Sequence, residues 1–62
     1  MNPMQEQEKI ALAIQVYEKR IENYQEQIES CAKRKDYQSA FIYSIMVNEL
    51  KNAKLLLEQI AG

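Results

Sequence analysis

Histidine and tryptophan are missing from this chain, cysteine occurs once, at Cys31, and proline and glycine occur once each, at Pro3 and Gly62. Each shortage excludes something. Without histidine no side chain ordinarily exchanges a proton near neutral pH, and the Cys31 thiol has no imidazole to activate it. A single cysteine forms no internal disulfide, and with no histidine beside it, it builds no zinc site. A chain without internal glycine also has no glycine-rich loop to bring backbone N–H groups onto a phosphate. The expectation is a protein that is not an enzyme and carries no metal or cofactor.

What remains is rich in Glu, Gln, Lys, Ala, Leu and Ile, a composition that favours helix throughout. At 62 residues the chain makes one small domain, 1–62, in the size range where a single core is marginal and oligomerisation commonly supplies the rest. Its formal charge is −1 and its pI about 5.3, so the overall balance draws it to neither nucleic acid nor anionic membrane. Apolar runs such as Ile10 to Ile14 and Leu55 to Leu57 fall far short of the roughly 20 residues that span a bilayer. Residues 1–6 lack the basic, then apolar, then small-residue order of a secretory signal, and with the lone thiol this favours the cytoplasm.

In the first half, Ile10, Ile14, Tyr17, Ile21, Tyr24, Ile28 and Cys31 are spaced 4, 3, 4, 3, 4, 3. That unbroken alternation is the seam of a coiled-coil type of helix, with Leu12 and Val16 as a small patch off it. The second half is apolar over a wider arc, spanning Ile42, Tyr43, Ile45, Met46, Leu50, Ala53, Leu56, Leu57 and Ile60, with Val47 at one margin and Phe41 and Leu55 further out. Ser44, Asn48, Lys51, Asn52, Lys54 and Glu58 form its polar face. Between the halves, Lys33-Arg34-Lys35-Asp36 interrupts the apolar pattern, and Asp36 is placed to cap the second helix.

The pattern predicts an all-α antiparallel hairpin of coiled-coil type: a helix over about 5–32, a corner over about 33–36 and a helix over about 37–60, forming a rod roughly 40 Å long. One neighbouring helix does not cover so broad an apolar arc. Dimerisation into a four-helix bundle with the second helix central is the simplest closure, and a groove on a different protein is the competing one.

Candidate functional residues are few. Lys33, Arg34 and Lys35 suit an anionic partner, or they serve only the helix dipole and the solubility of the corner. The run of Glu18, Glu22, Glu26 and Glu29 reads as a solvated face more readily than as a cation site. Cys31 reads as a small buried residue closing the last layer of the seam. Tyr17, Tyr24, Tyr37 and Tyr43 suit either a recognition stripe or core positions whose hydroxyls reach the edge. The oligomer or partner interface is expected along Ile10, Ile14, Tyr17, Ile21, Tyr24 and Ile28 and along Phe41, Ile42, Ile45, Met46, Leu50, Leu56, Leu57 and Ile60. Met46, beside Phe41, Ile42 and Ile45, is the patch best suited to an adaptable interface.

Two resemblances bear on this. The stretch Ile28-x-x-Cys31-Ala32-x3-Asp36-Tyr37-Gln38-x-Ala40-x6-Val47-x-x-Leu50-Lys51 resembles the UVR motif, a helical hairpin of nucleotide-excision-repair subunits and some protease adaptors. Phe41 and Ser44-Ile45 stand where that family has a second alanine and an Arg-Asp pair. The resemblance implies geometry, hairpins that pair with one another or with a partner's hairpin, and no repair role. In length, helix order, the start Lys35-Asp36-Tyr37-Gln38 and the end Leu50-x-x-Ala53-x-Leu55-Leu56-Leu57, the chain is also similar to the small E-class co-chaperones of type III secretion. That likeness implies an obligate helical-repeat partner. The expected function is a self-associating, non-catalytic interaction module, a small adaptor or regulator with a phage-encoded one among the options. The alternatives are such a co-chaperone and a nucleic-acid-binding dimer that uses the corner cations.

Overall fold

The computed structural model describes residues 3–61, which form two α-helices, α1 (Pro3–Lys33) and α2 (Tyr37–Ala61), packed as an antiparallel hairpin. Among the described residues there is no strand. Pro3 opens α1, a position where the missing N–H costs nothing and the fixed φ is already helical. The helices run 31 and 25 residues, longer than expected, and the rod measures 50 × 14 × 14 Å.

The corner is tighter than the charge pattern suggested, because two terminal motifs share its residues. Lys35 N–H donates to the Ala32 carbonyl (3.0 Å) and Asp36 N–H to the Cys31 carbonyl (2.8 Å). This pair of bonds is the Schellman ending of a helix, in which the residue after the cap turns left-handed. Lys35 takes that place with φ 62°, where glycine is the usual occupant. The next residue already starts α2: Asp36 Oδ1 accepts the Ser39 N–H at 3.2 Å, as expected of the cap, and the Asp36 carbonyl accepts from Ala40 N–H at 3.2 Å. The Ser39 side chain, then the Ser39 backbone N–H, hold the Asp36 carboxyl below its ordinary value of 3.8, with the Arg34 guanidinium adding to the effect.

Across the seam, Ile21, Cys31 and Val47 are the buried residues, Cys31 at 1% exposure and Val47 at 5%. Ile10, Ile14, Tyr17, Tyr24 and Ile28 are half-buried beside them, as the 4, 3 alternation of α1 predicts. On α2 Val47 is buried and Ser39, Ala40, Tyr43, Ser44, Leu50, Ala53, Lys54 and Leu57 are half-buried; within this set Ala40, Tyr43, Val47, Leu50, Lys54 and Leu57 alternate 3 and 4. This corrects the expected orientation of α2 in three places. Val47 is at the centre of the seam and not at a margin. Lys54 belongs to the seam and not to the polar face, its stem packed and its Nζ turned to Glu18 at 3.6 Å and Glu58 at 3.9 Å. Tyr37, for which a core position was one of the two expectations, is 66% exposed. The rotation of α2 thus turns Val47, and not the centre of its apolar arc, toward α1.

Candidate interaction surface

Turning α2 so that Val47 meets α1 leaves most of its large side chains outside. Phe41, Ile42, Ile45, Met46, Leu56 and Ile60 are all exposed, Leu56 at 58% and Ile60 at 63%. These six belong to the interface expected from the sequence. Leu50 and Leu57, expected with them, are half-buried in the seam. The α1 residues of that interface, Ile10, Ile14, Tyr17, Ile21, Tyr24 and Ile28, face α2 of the same chain, so the hairpin itself covers much of them. Leu12 and Val16 are exposed near the start of α1 and Leu55 on α2.

The two long sides of the hairpin differ in character. Along one groove Glu18 and Glu22 of α1 face Lys51, Lys54 and Glu58 of α2, with Ile21 and Leu55 also in the lining, and Lys54 pairs with both Glu18 and Glu58. Along the other, Arg20 and Tyr24 face Ile45, Met46, Glu49 and Leu50, and Arg20 and Glu49 are its only charged residues. That side combines apolar lining with a single opposed pair of charges. Reading the helices one at a time missed it, since Arg20 and Glu49 come level only once the axial register of the hairpin is known.

At the corner, Arg34 folds back over the end of α1. Its Nη1 donates to Ser30 Oγ at 2.7 Å and its Nη2 to Cys31 Sγ at 3.5 Å, so this cation is engaged at the helix terminus. Lys33 and Lys35 are exposed on either side of it. The Cys31 thiol lies beneath this cover, free of any disulfide and buried. Tyr24 and Tyr43 meet ring to ring inside the seam, which places two of the four tyrosines in packing roles.

No group of three His, Cys, Asp or Glu among the described residues is arranged to hold a metal ion, and no helix among them is long and apolar enough to cross a membrane. No family model, curated protein or solved structure matches the chain.

Proposed function

We propose that this protein is a non-catalytic helical interaction module that associates with itself and, as a small adaptor or regulator, presents its helices to a larger protein. The observation that carries this reading is the row of exposed large apolar side chains on α2. Ile42, Ile45, Leu56 and Ile60 are each about half exposed, so covering the rest of them would contribute about half of the roughly 1.5–3 kcal/mol of a full burial apiece, together a sizeable part of the stability of a small domain. A two-helix hairpin buries little else, so association supplies what its own core lacks. The near-zero net charge supports this, because two copies of a −1 chain repel weakly.

Sedimentation equilibrium of the isolated chain tests the reading. A dimer or higher oligomer that melts cooperatively is expected, and a well-folded monomer at all concentrations would remove the self-association. A poorly folded monomer would instead favour the obligate-partner reading, a co-chaperone of the kind the sequence resembles.

A further inference from the structure

The exposed side of α2 carries a second alternating pattern that specifies how a second copy would sit on it. Ile42, Met46, Glu49, Ala53, Leu56 and Ile60 are spaced 4, 3, 4, 3, 4; all but Glu49 are apolar, and all but the half-buried Ala53 are exposed. This stripe lies roughly 100° round α2 from the seam residues Val47, Lys54 and Leu57, close to the right angle that a helix in a four-helix bundle needs between its two neighbours. It runs on the Arg20, Tyr24 and Met46 side of the hairpin, away from the charged groove lined by Glu18, Glu22 and Lys51.

We infer that two copies of the chain pair through this stripe, α2 antiparallel to α2, centred level with Lys51, with Glu49 setting the register. The inference rests on the proposed self-association and adds its face, direction and register. The stripe is its own mirror image about that centre: Ile42 meets Ile60 of the second copy, Met46 meets Leu56, and Glu49 meets Ala53. Each pairing also matches the two kinds of seam position as antiparallel helices require. Glu49 thus faces the smallest residue of the stripe, which leaves room for its side chain, while Arg20 lines the same groove. A slip of one heptad either way would press the carboxylate onto Ile60 or Met46, and a parallel, in-register pair would set Glu49 against Glu49. A lone polar residue in an apolar seam selects register in this way.

Area argues for an occupant of this size. The chain exposes 5026 Å², against about 4,200 Å² for a compact monomer of 7.3 kDa. The excess, roughly 830 Å², goes with the elongated shape of the rod and is close to the about 800 Å² that each partner brings to a standard-sized interface. One positive and one negative charge per groove make the surface neutral toward its own copy.

Disulfide trapping in a Cys31→Ala background tests the register. A mixture of Met46→Cys and Leu56→Cys chains is expected to give the mixed disulfide. Met46→Cys alone is expected to give little, because its two copies stand about 15 Å apart along the axis. Spin labels on exposed Gln59 should report a separation near 24 Å along the rod in the antiparallel pair, and close approach in a parallel one. A dimer that forms the disulfide of Met46→Cys with itself, or shows the short Gln59 distance, overturns the register and leaves self-association standing. A folded monomer in sedimentation overturns both and leaves the stripe to a helix of another protein.

Discussion

Tyr24 on α1 and Tyr43 on α2 lie ring to ring across the seam, their centroids 5.6 Å apart and their planes tilted by 31°. Ile21 and Val47, the most covered aliphatic side chains, come one step further along the same seam. The tyrosine pair therefore helps to lock the axial register that brings Arg20 and Glu49 level. A double-mutant cycle of Tyr24→Leu and Tyr43→Leu, read by chemical denaturation, should return a coupling of about 0.5–1.5 kcal/mol. A coupling near zero would mean that the rings are neighbours without being partners.

Aspartate at a seam position and at an outward position of α2 should separate folding from association. Val47→Asp buries a charge in the seam and should abolish cooperative melting. Leu56→Asp alters an exposed position and should leave a cooperative but weaker transition whose midpoint does not rise with protein concentration, whereas the parent's is expected to. Circular dichroism melts at two concentrations distinguish the variants. If Leu56→Asp retains the concentration dependence, the exposed face is not where the chain associates.

Lys35 holds a left-handed backbone at φ 62° without the freedom of glycine. Lys35→Gly should stabilise the hairpin by about 1 kcal/mol, and Lys35→Val should destabilise it, since a β-branched residue fits that region poorly. Urea midpoints at neutral pH measure both.

Asp36 ties stability to acid. Its carboxyl ionises in the folded chain below the usual 3.8, so the unfolded chain takes up its proton first as pH falls. The cap's contribution is complete above the unfolded value and is lost as pH drops through the lower folded value. Asp36→Asn keeps an N-capping side chain without the charge and should flatten the fall in midpoint between about pH 5 and pH 2. Equal acid sensitivity in the two proteins would place the effect elsewhere.

Lys54 occupies a seam position, and its ion pair with Glu18 at 3.6 Å is partly exposed to water. Such pairs contribute little, so Glu18→Gln should change stability by less than about 0.5 kcal/mol. Lys54→Met keeps the packed stem, drops the charge and should gain about 1 kcal/mol in the same denaturation assay.

The alternation from Ile10 to Cys31, the interruption at Lys33 to Asp36 and the cap at Asp36 were all legible in the sequence, because spacing and side-chain chemistry act locally along a helix. The Schellman ending was not, since lysine stands where glycine would have announced it. Nor was the orientation of α2. Its apolar residues extend so far round the helix that several rotations would bury comparable area against α1, and the pattern alone could not rank Val47 above its neighbours.

By itself, then, the sequence determined a helical hairpin with more apolar surface than one partner helix covers, and it removed the chemistry that histidine, paired cysteines and internal glycine would bring. Only the tertiary structure decided which side of α2 is spent on the hairpin. A three-residue corner with a left-handed Lys35 and a capping Asp36 reverses the chain, and the rotation α2 takes beyond it, with Val47 buried against α1, leaves Ile42, Met46, Leu56 and Ile60 facing outward.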